Sequence, residues 1–297
     1  MTLVASSCTD VLDQMPTTED TSKDVYAEAA NYKRVLAKIY ASYVLAGQGQ
    51  GGDNGALPSI NKQAFSRGYF NLQEAATDEV ANTWLSGNNL SDLTYISWDA
   101  KDSWVSDSYY WLFFNIALCN EFLRHCSDEE IARFSEAEQT EIRTFRSEAR
   151  FMRSFSYWMV LDLYRQGPKV DENTPVIGYI PEAYDGIGMF DFIESELKEL
   201  VAEGVSSALP ATNEYGRASK PVAWALLARL YLNSAVYRGN VDTKYYTECI
   251  TACKQVISNP AFYLEPEYAK LFNADNHKRT HEILFAMVCD ATTSVTW

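Results

Sequence analysis

Apolar residues along this chain recur far more often with the period of a helix than with that of a strand. Tyr32, Leu36, Ile39 and Tyr43 fall at i, i+4, i+7 and i+11, one stripe of an amphipathic helix that should end at Gly47, a suitable C-terminal cap. Residues 104–126 (WVSDSYYWLFFNIALCNEFLRHC) read as a buried helix and residues 136–165 as its long partner. RQGPKV breaks that partner, and DENTPVIGYIPEAYDGIG reads as an irregular crossover punctuated by Pro and Gly. Asp191 and Glu194 suit a capping box for a third long helix, with Ile193, Leu197, Leu200 and Val201 on its apolar face. Ser219 as N-cap and Pro221 in the first turn open another. A further helix is predicted over 243–258, with Tyr246, Cys249, Ile250, Cys253 and Val256 clustered. The last stretch, HEILFAMVCDATTSVTW, turns strand-like and stops without a cap or turn, as a chain cut short would.

Regular periodicity fails in two places. Residues 9–23 are polar and rich in Pro, Thr and Asp, which suits a tether. From 48 to about 103 the chain reads as loop and short helix, with polar and aromatic residues mixed; GQGQGGDNGALP is too Gly-rich for regular structure. Two segments, EARFMRSFSYWMVLDLYR and AWALLARLYLNSAVYR, share a loose pattern of small residues, an arginine and aromatics one or two turns apart. Small positions that admit a neighbour's rings are the logic of tetratricopeptide-like helix pairs. The fold class is therefore mostly α.

Charge and cysteines narrow the function. A net charge of −15 argues against a surface that neutralises nucleic-acid phosphates or attaches to anionic lipid. No apolar run is long enough for a membrane-spanning helix. MTLVASSC resembles the tail of a secretory signal ending at Cys8, and it also reads as an ordinary N-terminal cysteine in a frayed tail. The six cysteines form no CxxC pair and read as free thiols.

Motifs for catalysis are missing: there is no GxSxG, GxxxxGK[ST], HExxH or GxGxxG. Asp78 and Glu79 are adjacent, so their side chains diverge and do not flank one glycosidic bond; they suit the start of a helix. His277 and His281 read as solvated loop residues, not a metal pair. No cofactor is implied. A binding reading has more support. Sugar rings offer flat C–H patches edged by hydroxyls, so a site needs an aromatic plane and planar polar groups. The loop region carries these types together in Asp53, Arg67, Asn82, Trp84, Asn88 and Asn89. In DEVANTWLSGNN, Trp84 reads either as a ring tucked against the domain or as one free to stack on a ligand.

SCTDVLDQMPTT, LQEAATDE, LTYISWDA, SEARFMRSFSYWMVLDLYRQGP, YGRASKPVAWALLARLYLNSAVYRG and YAKLFNADN together resemble the SusD/RagB family of Bacteroidetes outer-membrane lipoproteins. The resemblance runs over the whole chain. It implies a SusD-like fold whose tetratricopeptide-like pairs form a right-handed helical scaffold with irregular loop regions. It divides the chain into a signal remnant with the lipidated Cys8 (1–8), a tether (9–23) and the N-terminal helical part of the family domain (24–297), the C-terminal part being absent. It implies a surface-exposed protein anchored by lipid to the outer membrane, which captures an oligosaccharide without catalysis and delivers it to a SusC-like TonB-dependent transporter. A peptide-binding or purely structural lid is the alternative within the family. Carried over by position, Trp84 and Trp297 would stack on sugar rings, and Arg67, Asp53 and Asn88 would bind hydroxyls. Asn82 and Gly87 depart from the family's starch-binding member, which has an aromatic and an asparagine there.

Overall fold

The computed structural model describes residues 21–45, 65–83, 85, 86 and 90–289. Helix α1 (Ser22–Val25) is one turn, closed by a capping box between Thr21 and Asp24. Helix α2 (Ala29–Ala41) buries the predicted Tyr32, Leu36 and Ile39. It ends at Ala41, short of Gly47, because Ser42 has other partners. The Ser42 hydroxyl donates to the Ile39 carbonyl at 2.6 Å, and its carbonyl accepts the Trp111 indole N–H at 2.6 Å. Tyr43 then turns into the core, where its hydroxyl meets Ser156.

Helices α3 (Phe65–Glu74) and α4 (Ser91–Thr94) lie in the region read as loop and short helix. Helix α5 (Ser103–Arg124) and helix α7 (Glu136–Tyr164) fall where the apolar runs predicted them, with the single turn α6 (Asp128–Ile131) between. Their starts are fixed by side chains. Asp102 accepts the N–H groups of Trp104 and Val105 at 2.8 and 3.2 Å, and Ser135 forms a capping box with Glu138. Helix α7 stops at Arg165, which adopts a left-handed φ of 63°. Strands β1 (Gly167–Pro168) and β2 (Ala183–Tyr184) then pair antiparallel, gathering the crossover into a hairpin.

Helix α8 (Gly186–Val201) begins earlier than predicted. Its cap is Asp185, which accepts the Gly188 N–H at 2.7 Å. Asp191 and Glu194 lie inside the helix and pair with Arg238 and Lys198. Helix α9 (Lys220–Leu232) has Ser219 at its N-cap and Pro221 in its first turn as predicted, though the serine hydroxyl makes no capping bond. The short α10 (Ser234–Arg238) comes so close to α8 that a Cβ on Gly186 would lie 2.5 Å from the Tyr237 carbonyl oxygen. Helix α11 (Thr243–Ile257) turns a different face to the core than the predicted cluster. Tyr245 and Ala252 are buried against α9, Cys249 donates to the Ala228 carbonyl, and Tyr246 and Ile250 point to solvent. After two 3₁₀ turns, Tyr268–Phe272 and Asn276–Lys278, residues 281–289 run without a paired strand, against the strand-like expectation. Phe285 is instead packed on Phe151 and Phe155.

Helix α5 lies on α7, α8 on α7, α9 on α8 and α11 on α9, a mostly helical scaffold of stacked helices. The core centres on α7, where burial from Ser147 to Leu161 is almost unbroken. That stretch carries charges, each with a partner of opposite charge, though Arg153 Nε makes no hydrogen bond. Glu148, fully buried, accepts the Tyr40 hydroxyl at 2.7 Å and Arg217 Nε at 3.0 Å. Tyr40 in turn accepts the Ala218 N–H at 2.9 Å. Arg153 donates to Asn120 at 2.9 Å and Glu196 at 3.0 Å and pairs with Glu172; Arg150 grips Glu196 at 2.8 and 3.1 Å.

Removing one partner of such a pair leaves an uncompensated buried charge. Glu148→Ala should therefore lower the free energy of urea unfolding by about 3 kcal/mol. Glu196 adds a pH dependence. Burial alone would raise its pKa, but Arg150 and Arg153 outweigh burial and hold it below 4.5. Its stabilisation is complete above the unfolded value and is lost as pH falls through the lower folded value. Unfolding measured from pH 6 to 3 should therefore show Glu196→Gln converging on the parent at the acid end.

Candidate functional site

The loop region between α3 and α5 is held by a small apolar cluster of its own: Ala75, Leu90, Leu93 and Trp104, with Leu72 and Val105 against it. Trp104 is placed by the Asp102 cap at the start of α5. Arg67, on α3, lays its guanidinium over the Trp104 ring, 5.4 Å from the centroid. This fixes one predicted binding residue on a rigid aromatic support. Asp53, Trp84, Asn88, Trp297 and Cys8 lie outside the described residues. Asn82 is half-buried. Asp78 and Glu79 sit in a bend after α3, not at a helix start, where the Glu79 N–H donates to the Thr77 hydroxyl at 3.3 Å.

Two rings that the sequence reading passed over stand in solvent just after α4, Tyr95 and Trp98. Buried Leu90 and Leu93 anchor the preceding turn, and Ser97 N–H donates to the Asp92 carbonyl at 2.8 Å. Between the rings, Ile96 takes a φ of 55°, a left-handed conformation that a β-branched residue rarely adopts. The signal for them was present in LTYISWDA, two aromatics three apart with polar residues around them. Their exposure depends on which leucines are buried, which periodicity does not report. A sugar ring requires exposed planes and planar polar groups; Tyr95 and Trp98 are of the first type, and Arg67, on α3, is of the second.

A cleft of about 750 Å³ opens between α3, α7, α9 and residues 282–287. Phe65, Tyr69, Phe155, Trp158, Leu226 and Phe285 are among the side chains that line it. Its charged groups are Glu74, Arg229 and Glu282, and Arg229 already lies over Trp158 at 5.7 Å. Burial pushes the Tyr69 hydroxyl up to about 12, with the Asp162 carboxylate adding to it, so it stays a neutral donor. The cleft combines apolar rings with the polar side chains of Gln73, Glu74, Arg229 and Glu282.

Other chemistry finds little support among the described residues. No group of three or more His, Cys, Asp or Glu side chains is poised for a metal, and no helix there is long and apolar enough to cross a membrane. His281 stacks on Tyr263 at 4.3 Å and pairs with Glu265 at 3.1 Å, so it is not paired with His277. Cys119, Cys126, Cys249, Cys253 and Cys289 are free thiols, as read from their spacing.

No family model matches the chain. Over 247 residues it is 32% identical to the starch-binding protein SusD of Bacteroides thetaiotaomicron, covering 82% of this chain and 41% of that protein. The solved structure of B. fragilis NanU matches with a TM-score of 0.69 at 16% identity, over 95% of this chain and 52% of its own. The surface glycan-binding protein A of Bacteroides fluxus matches at 0.63 and 16% identity, over 84% of this chain and 48% of its own. The chain thus shares their fold while spanning about two fifths of the curated relative and about half of each solved one.

Relieving the left-handed backbone between the two exposed rings should be stabilising. Asn tolerates that conformation, and the Ile96 side chain is mostly exposed. Ile96→Asn should raise the free energy of urea unfolding by about 1 kcal/mol.

Proposed function

We propose that this chain, a SusD-like protein, captures an oligosaccharide at the cell surface and delivers it to a SusC-like TonB-dependent transporter. The observation that carries this reading is the 32% identity to a starch-binding protein over 82% of the chain. Arg67 braced on Trp104, and the solvent-facing Tyr95 and Trp98, support it, because an arginine and exposed rings are the group types that a sugar surface demands. In this reading Trp84 and Trp297 stack on sugar rings, and Arg67, Asp53 and Asn88 bind hydroxyls. Cys8 carries the lipid that holds the protein on the outer membrane. Nothing in the reaction requires bond cleavage by this chain, so its role is binding and handover. Asn82 and Gly87, where the starch-binding relative has an aromatic and an asparagine, favour a glycan other than starch.

The apolar lining of the cleft favours one second reading, a peptide-binding or purely structural lid without sugar affinity. It predicts that every glycan fails while the transporter still co-purifies.

Calorimetric titration with starch oligosaccharides and a panel of other glycans separates the two. A stacking ring contributes ~1 kcal/mol or more beyond its buried area. Trp84→Ala and Arg67→Ala should each weaken binding by about tenfold. Unchanged affinity in both variants would remove the site from this surface.

A further inference from the structure

The tip of the crossover between β1 and β2 is apolar and stands in solvent. Val176, Ile177 and Ile180 are 77%, 90% and 91% exposed, and Tyr179 is 48% exposed. Single exposed aliphatics are ordinary, but four apolar side chains within five residues form a patch. Left free, such a tip would fold back and bury itself.

The base of the loop prevents that. Arg124 donates from Nε to the Glu172 carbonyl at 3.0 Å and from Nη2 to the Thr174 carbonyl at 3.3 Å. The Tyr157 hydroxyl donates to the Val170 carbonyl at 2.8 Å and accepts the Val170 N–H at 3.1 Å. On the returning leg, the Glu182 carbonyl accepts the Lys169 N–H at 2.7 Å. Asp171 accepts the Asn173 N–H at 2.9 Å, and the Glu172 carboxylate pairs with Arg153. Pro175 and Pro181 stiffen the two legs, and Gly178 supplies the left-handed turn at the tip with a φ of 72°. The scaffold therefore holds the apolar tip outward.

We propose that residues 175–181 form a wedge that docks into an apolar groove of a protein partner. Resting on the reading above, that partner is the TonB-dependent barrel. Charge favours a protein over a lipid surface. The base of the wedge carries Asp171, Glu172, Glu182 and Asp185 against Lys169, Arg124 and Arg153, and the whole chain has a net charge of −15. Anionic headgroups repel such a base, and the tip has neither the Trp nor the Lys/Arg belt of a membrane-inserting loop. A groove rimmed by neutral or basic side chains accepts it. None of the residues assigned to the glycan belongs to the wedge, so docking and sugar binding are separable.

The test compares the parent with Ile177→Asp/Ile180→Asp, each tagged and produced in the native cell. Complexes are isolated from outer membranes solubilised in mild detergent, and the barrel is identified and quantified by peptide mass spectrometry. The variant should retain about a tenth of the barrel or less, with the parent's glycan titration and unfolding midpoint. Equal retention overturns the wedge alone. A parent that retains no barrel overturns the partner reading and the wedge with it. Two further outcomes would also overturn it: flotation of the parent with phosphatidylcholine or phosphatidylglycerol vesicles that the variant loses, or a dimer by light scattering that the variant dissociates. Should the double aspartate lower the midpoint, Ile177→Ser/Ile180→Ser removes the same apolar surface without adding charge and carries the same comparison.

Discussion

Everything in this fold is arranged around a helix that is buried along most of its middle stretch. Over Ser147 to Leu161, α7 is enclosed by α2, α5, α8 and α9, and a segment enclosed in that way has to satisfy its polar groups within the protein. Glu148 and Arg153 are the groups that make this demand. Their answers come from far along the chain: Tyr40 and Arg217 for the first, Asn120, Glu172 and Glu196 for the second. Meeting those charges sets where α8 lies and fixes the base of the crossover. The small residues around them, Ser147, Ala149, Ser154 and Ser156, leave room for the neighbouring rings.

The enclosed helices were the legible ones. Helix α5 and helix α7 carry long apolar runs. The start of α8 was not legible, because Asp191 and Glu194 imitate a capping box, while the real start follows Asp185 with glycines that helix propensity disfavours. Gly186 is there for the closeness of the Tyr237 carbonyl, a tertiary fact. On α11, Tyr245 and Tyr246 are neighbours, and only the position of α9 decides which one is covered. The strand-like composition of the last stretch expressed a propensity, and a strand also needs a pairing partner.

The candidate site divides the same way. Composition pointed to the loop region before α5, because rings and planar polar groups cluster there. Structure adds the reason the region can serve as a surface: its own small core, with Trp104 beneath Arg67. Tyr95 and Trp98 stand out as exposed rings only once Leu90 and Leu93 are seen to be the residues that bury. A residue two places from an exposed ring looks the same in sequence whether or not it anchors the turn.

Helix arrays of this kind are commonly additive, each unit touching only its neighbours and free to fray from either end. The Tyr40 hydroxyl breaks that independence. It joins Glu148 on α7 to the backbone of Ala218, a residue 178 positions further along the chain. The first long helix and the entry to α9 are therefore closed into a loop across α7. Neither flank can peel away without opening the same buried charge, so the array should unfold as one cooperative unit. Its assembly must also wait for contacts between distant parts of the chain, which slows folding relative to a simple helical stack.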